Sequence, residues 1–217
     1  MALLLCINGP PVMPWLECLR RLAPERDIRA WPDIGDPGEI SYAGVWKPPA
    51  GVLAGLPNLK GIVSMAAGVD HVLADPFLPA VPLGRVVDED LNARMSEWVV
   101  MNALFHLRHH EAYRGQQRRK VWQTIEPTPT ARQLRVGVMG LGAIGANVLT
   151  KLKAIGFDVI GWSRTPKTIK GIATFAGEER DAFLARTDLL VCLLPLTPAT
   201  KGLLNRGLFE KLARDGV

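Results

Sequence analysis

The sequence predicts an α/β protein built from doubly wound parallel sheets in two domains. Three observations predict it. Short apolar runs alternate with helix-period segments along most of the chain, the pattern of strands joined by crossover helices. A polar, proline-bearing stretch, "RRKVWQTIEPTPTARQL" at 118–134, precedes a second such series. That series carries a G-x-G-x-x-G turn at Gly140, Gly142 and Gly145, between a strand pattern and a helix pattern.

In the first series, Leu3–Ile7 is a strand and Trp15–Leu22 a helix ended by Pro24. "YAGVW", Tyr42–Trp46, is a strand stopped by Pro48 and Pro49. "GVLAGLP" at 51–57 is expected to form a short helix, and "LKGIVSM" at 59–65 a strand that runs into "AAGVDHVL". From Asn92, a plausible cap, a longer helix follows with Met95, Val99 and Leu104 on one stripe and Trp98 beside it. It is expected to continue past Leu107. The domain division is placed at this helix, giving a first domain 1–94 and a second 95–217.

In the second series, Arg135–Met139 is a strand and Ala143–Ile155 a helix capped by Gly156, with Ile144, Val148, Leu149, Leu152 and Ile155 on one face. Phe157–Trp162 is the next strand and Glu178–Arg186 a short helix. "DLLVCLLPL", Asp188–Leu196, reads as a strand buried on both faces, and "LLNRGLFEKLARDGV" offers a final helix.

With 48% apolar and 22% charged residues, the composition is that of an ordinary globular protein rather than a disordered chain. A net charge of +5 suits an anionic small ligand as well as nucleic acid, and does not choose between them. The odd number of cysteines (Cys6, Cys18 and Cys192), without a C-x-x-C, points to reduced thiols and no metal site. "MALLLCINGPPVMPW" lacks a basic start and a cleavage site, and no apolar run reaches membrane-spanning length, so no membrane partner and a cytoplasmic location are expected. The basic stretch Arg108, Arg114, Arg118, Arg119 and Lys120 carries no nucleic-acid motif. A solvated helix end or a subunit contact is the simpler account.

The three glycines have distinct expected roles. Gly140 permits the tight turn, Gly142 lets a pyrophosphate approach the backbone, and Gly145 allows close helix–strand packing. The amides of Ala143 and Ile144 at the helix start would face that anion. A glycine turn without ligand is the alternative. Where dinucleotide-binding units often place a carboxylate for the ribose 2′-hydroxyl, this chain has Ser163 and Arg164, with Lys167 close behind. A guanidinium and a hydroxyl accept a 2′-phosphate that a carboxylate would repel, so the cofactor is read as NADP(H) rather than NAD(H). A solvated turn residue is the alternative for Arg164.

Four stretches, "YAGVWKPP", "SMAAGVDHVL", "VGVMGLGAIG" with "GWSR", and "LLVCLLPLTPATKGLLN", together resemble the D-isomer-specific 2-hydroxyacid dehydrogenase family, nearest its glyoxylate/hydroxypyruvate reductase A branch. The resemblance implies a flavodoxin-like substrate domain and an NAD(P)-binding Rossmann-type domain, with ligand in the cleft between them. It implies that backbone amides of Ala67, Gly68 and Val69 bind the substrate carboxylate. Trp46 would wall the substrate pocket, and Leu194, Pro195 and Thr200 would border the nicotinamide. Met95 is more simply a core methionine. A homodimer acting on small 2-oxo acids, glyoxylate and hydroxypyruvate, is the expected assembly and activity. The family's catalytic Arg, Glu and His follow the fourth Rossmann strand, and the sequence ends at "ARDGV" before them. No catalytic residue is therefore assigned, the Rossmann-type domain is expected to be incomplete, and the chain reads as the first two-thirds of an enzyme. His71, His106, His109 and His110 match no catalytic motif. A non-catalytic dinucleotide sensor or corepressor-like scaffold is the alternative function.

Overall fold

The computed structural model describes Met1–Val217, which pack as two compact units. The first is Met1–Val87 with Pro195–Thr197; the second is Asp88–Leu194 with Pro198–Val217.

The first unit contains β1 (Ala2–Ile7), α1 (Met13–Leu22), β2 (Asp27–Ala30), β3 (Ile40–Trp46), β4 (Gly61–Ser64), α2 (Asp70–Leu73) and β5 (Leu83–Arg85). Its five strands pair in the order β2-β1-β3-β4-β5, all parallel. This 2-1-3-4-5 order is that of flavodoxin-like sheets, whose ligands lie at the carboxyl ends of the strands. Leu4, Cys6, Ile40, Ala43, Val45, Leu53, Ile62 and Val72 form one core cluster. Burial pushes the Cys6 thiol up to about 11, which leaves it an inert core side chain.

The second unit contains α3 (Glu89–Leu107), α4 (His110–Arg118), β6 (Arg135–Met139), α5 (Ala143–Ile155), β7 (Asp158–Ser163), β8 (Ala173–Ala176), α6 (Arg180–Leu184), β9 (Leu189–Cys192) and α7 (Arg206–Phe209). Its parallel sheet runs β8-β7-β6-β9. That is 3-2-1-4, the first four places of the Rossmann order. The outer side of β9 is paired at one residue, where Leu190 N–H donates to Val217 (2.7 Å) and Val217 N–H to Asp188 (2.9 Å).

Several local expectations are corrected. "GVLAGLP" forms irregular turns: Gly51 enters at φ +80°, and the bonds from Val52 to Pro49, Gly55 to Gly51 and Leu56 to Leu53 alternate between three- and four-residue spans. The long helix is capped by Asp88, whose carboxylate accepts from Leu91 N–H (2.9 Å), not by Asn92, which lies within the first turn. The division between units accordingly falls at Val87–Asp88, ahead of that helix. Its buried stripe is Ser96, Val99, Ala103 and Leu107, with Met95 and Leu104 half-buried. The helix stops at Leu107 because His109 takes a left-handed conformation (φ +50°). Ile155 is exposed in the last turn of α5. Strand β9 ends at Cys192 and is half-buried, being the outer named strand of its sheet. The final helix is one turn, as is α6 after a 3-10 turn. No helix is long and apolar enough to cross a membrane.

One ion pair joins neighbouring strand ends in the second unit. Asp188 accepts from Arg135 through the backbone amide (2.9 Å), Nε (2.8 Å) and Nη2 (2.5 Å). Hydrogen bonding to the Arg135 guanidinium holds the Asp188 carboxyl below its ordinary value, against partial burial. A carboxyl lowered in the folded state stabilises above its unfolded pKa, and the gain disappears as pH falls through the folded value. Asp188→Asn should lower stability at pH 7 by about 1–2 kcal/mol, the low end for a charged hydrogen bond because Arg135 is partly exposed. Urea midpoints at pH 7 and near pH 2–3 check this. The gap should shrink in acid, and an unchanged gap would remove the ion pair from the account.

Candidate functional site

The second unit builds its site at the β6–α5 turn. Gly140 has φ +102°, a conformation L side chains rarely adopt, and its amide donates to Trp162 O (2.8 Å). A Cβ there would stand 2.9 Å from the Leu193 carbonyl. At Gly145 a Cβ would stand 1.9 Å from Gly140 O, a separation no packed structure tolerates. Gly142, the N-cap of α5, differs: its φ is −77°, and a Cβ would meet nothing within 4 Å. Two of the three glycines are therefore required by the fold itself. The third is not, and what a side chain there would obstruct is an approaching ligand. No side chain caps α5. The first hydrogen bond of its opening turn runs from Ala146 N–H to Gly142 O (3.0 Å), while the amides of Ala143 and Ile144 have no partner. Partial positive charge at a helix start and free donors are what an anion needs. Leu141 is buried in the core beside Val148 and Leu149, which anchors the turn from below.

Strand β7 ends beside this turn, since β6 and β7 pair in register from Arg135↔Asp158 to Met139↔Trp162. Ser163 is buried, and its hydroxyl donates inward to Thr165 O (2.7 Å). Its one proton is thus engaged within the turn. Arg164 is exposed, and its guanidinium has neither a hydrogen bond nor an ion pair. Lys167 is exposed as well, with its carbonyl accepting from Thr174 Oγ1 (2.7 Å). The Trp162 indole donates to Gly177 O (3.1 Å), which pins the loop after β8 against the end of β7. The result is a cationic turn with no carboxylate paired to it.

Leu194, after β9, is half-buried against the cluster of Met139, Ile160, Trp162 and Phe183. Pro195 opens the segment grouped with the first unit, and Thr200 O accepts from Leu203 N–H (3.1 Å).

The first unit has its own anion-ready loop after β4. Three successive carbonyls are held. Ala66 O accepts from Val86 N–H (3.3 Å), Ala67 O from Arg85 Nη1 (3.4 Å) and Gly68 O from Ser64 Oγ (2.7 Å). In a trans peptide the N–H points opposite to the C=O. The amides of Ala67, Gly68 and Val69 are therefore turned away from those partners, and none of the three donates to any group in the chain. Trp46, at the end of β3, packs against His71 with ring centroids 5.6 Å apart. Strands β3 and β4 pair as far as Val45↔Ser64, so Trp46 and this loop leave the sheet at the same edge. Met95 is half-buried on α3. Sequence reasoning missed the roles of Ser64, whose contacts with Ala66, Gly68 and His71 are local but follow no capping or turn pattern, and of Arg85, whose contact depends on the pairing of β5 with β4. Of the other histidines, His109 Nε2 bonds Pro127 O (3.0 Å), and His110 stacks on Phe105 at 4.1 Å.

Comparison with known proteins follows the same lines. Residues 100–217 match the family model described as D-isomer specific 2-hydroxyacid dehydrogenase, NAD binding domain. A glyoxylate/hydroxypyruvate reductase A of Yersinia enterocolitica is 42% identical over 91% of this chain, which spans 65% of that protein's length. The crystal structure of an NADPH-dependent glyoxylate/hydroxypyruvate reductase from Sinorhizobium meliloti, in complex with NADP and sulfate, superposes with TM-score 0.92 at 43% identity, covering 99% of this chain and 69% of that one. A probable 2-hydroxyacid dehydrogenase from Rhizobium etli, in complex with NADP, HEPES and L(+)-tartaric acid, gives 0.90 at 45% identity, covering 99% and 68%.

The glycines provide a direct test. Gly142→Ala should leave thermal stability within about 0.5 kcal/mol of the parent, as for a substitution that touches nothing, and weaken dinucleotide binding about tenfold or more by blocking close approach. Gly145→Ala should cost about 2–4 kcal/mol through overpacking. Calorimetric unfolding and a binding titration on the same samples separate the two. A Gly142→Ala chain that binds like the parent would exclude this turn as the anion site.

Proposed function

The chain belongs to the D-isomer-specific 2-hydroxyacid dehydrogenase family, and from that premise we propose that it forms the substrate- and coenzyme-binding part of an NADPH-dependent reductase of small 2-oxo acids, glyoxylate and hydroxypyruvate. The observation that carries this reading is the turn after β7, where Arg164 has no ion-pair partner and no carboxylate stands in the place that would read a ribose 2′-hydroxyl. A 2′-phosphate is a dianion that such a carboxylate would repel and a guanidinium binds through paired N–H donors. Lys167 adds charge on the same turn, and Ser163 keeps the turn in shape. The pyrophosphate would lie over Gly142 against the amides of Ala143 and Ile144, with Gly140 and Gly145 making the turn possible. Leu194, Pro195 and Thr200 would border the nicotinamide.

NADPH, when bound, would supply a hydride to the 2-oxo carbon, and a proton delivered to the resulting alkoxide, by water or by an acid that no residue here is assigned to be, would complete glycolate or glycerate. The chain's own part is to hold the other reactant. The free amides of Ala67, Gly68 and Val69 would take the substrate carboxylate, since donors already turned outward need no reorganisation on binding. Trp46 would keep the pocket small and dry. None of the four histidines is assigned as proton donor. The three free thiols fit a reducing, cytoplasmic location.

A second copy of the chain is the partner in this reading. Trp98, Met101 and Phe105 share a helical stripe on α3 and are all exposed, an apolar surface of the kind that homodimers cover.

Two tests follow. Arg164→Ala should weaken NADPH binding about 10- to 100-fold, the loss of a charge-assisted contact of about 1.5–3 kcal/mol, with NADH affinity nearly unchanged. Equal losses would defeat the 2′-phosphate assignment, and tight NADPH binding without turnover of either 2-oxo acid in the complete protein would favour a sensing role. Trp98→Glu combined with Phe105→Glu should convert dimer to monomer in sedimentation while the far-ultraviolet circular dichroism stays that of the parent; a dimer that persists would move the interface elsewhere.

A further inference from the structure

The first unit contains a buried polar group that neither the glycine turn nor the pocket wall accounts for. Ser64 is the last residue of β4 and is fully buried. Its Oγ lies 2.7 Å from Gly68 O, 3.3 Å from Ala66 N and 3.4 Å from His71 Nε2. A hydroxyl has one proton and two lone pairs. Gly68 O can only accept, so the proton goes there. Ala66 N–H can only donate, so it takes a lone pair. The remaining contact then requires His71 to donate from Nε2. Proton bookkeeping around one buried oxygen thus fixes the tautomer of an imidazole that touches Trp46 on its other side.

We propose that Ser64, with His71 as its Nε2–H donor, is a positioning residue for substrate. It fixes the Gly68–Val69 peptide plane so that the Val69 amide faces the bound carboxylate. This rests on the reading of Ala67–Val69 as the carboxylate cradle. Without the Ser64 hydroxyl, the Gly68 carbonyl is left partly buried and unpaired, and the peptide is free to rotate toward another donor. A rotated peptide presents an oxygen where the anion needs a hydrogen. Arg85 and Val86 hold the two preceding planes through Ala67 O and Ala66 O, so Ser64 sets the last of three donors. His71 acts through Ser64, and its packing on Trp46 ties the cradle to the pocket wall.

The test uses oxamate, a non-reducible 2-oxo acid analogue, titrated into the chain with saturating NADPH. Ser64→Ala should raise the oxamate Kd about tenfold, the equivalent of one hydrogen bond, with the NADPH Kd within about twofold of the parent, as for sites that share no group. His71→Phe keeps an aromatic ring for Trp46 but loses the donor, and should behave like Ser64→Ala. His71→Gln restores an N–H donor and should recover most of the affinity. Nitrogen NMR of the unmutated chain gives a readout that needs no variant to fold: His71 should be the Nε2–H tautomer. An Nδ1–H tautomer, or a Ser64→Ala chain that binds oxamate like the parent, would overturn the proposal. Failure of the unmutated chain to bind oxamate would overturn the carboxylate reading on which it rests.

Discussion

The second unit depends on one close approach. Gly145, in the first turn of α5, lies so near the Gly140 carbonyl that no side chain can stand between them. That contact brings the helix start down onto the end of β6. From it follow the packing of Val148, Leu149 and Leu152 under the helix and the burial of Leu141 in the same cluster. It also leaves the amides of Ala143 and Ile144 uncapped. A side chain at 145 would lift the helix, and with it the donors. The position of Gly142 has no such packing demand, which separates a glycine required by the fold from one a ligand would require.

Charge follows geometry in the same unit. The ion pair of Arg135 with Asp188 neutralises both groups across the β6–β9 strand starts. At the opposite, carboxyl end of the sheet, Arg164 and Lys167 stay exposed without acidic partners. The Arg135–Asp188 pair thus lies at one end of the sheet, and the unpaired Arg164 and Lys167 at the other. The unpaired end is the one that carries the glycine turn and the uncapped helix, so an anion arriving there meets fixed amides and free side-chain charge together.

The sequence disclosed what is locally encoded. The helix Ala143–Ile155 with Gly156 as its C-cap, the β6 strand and the glycine spacing follow from period, cap and turn chemistry, and the structure places them at those residues. Strand order 2-1-3-4-5 was reachable only through family resemblance, because pairing between distant segments leaves no mark in either one. Strands β2, β5 and β8, each of three or four residues, carry polar residues or glycine in so short a run that no apolar period marks them. An amide side chain at Asn92 has the chemistry of a cap, but Asp88 holds that place because its carboxylate reaches the Leu91 amide. At the candidate site, Ser163 and Arg164 were legible as residue types. The inward turn of the Ser163 hydroxyl was not, for it depends on where the chain goes two residues later.

The two units solve a shared problem by different means. Each leaves backbone amides without a partner at the carboxyl edge of a parallel sheet, in the loop that follows a strand. In the second unit the following helix has thirteen residues, long enough to sum its peptide dipoles and to be held by a row of buried side chains. Glycine packing, with Leu141 anchored in the core, sets its start. In the first unit the following helix, α2, has four residues, too short to position anything by its own rigidity. The loop is instead held from outside, carbonyl by carbonyl, by Val86, Arg85 and Ser64. That difference explains why the glycine turn is legible from residue spacing alone, while the loop of Ala67, Gly68 and Val69 is legible only through the family resemblance. An orientation imposed by a fold's own packing constrains residue types at fixed spacing, whereas one imposed by single hydrogen bonds constrains only which polar atoms meet.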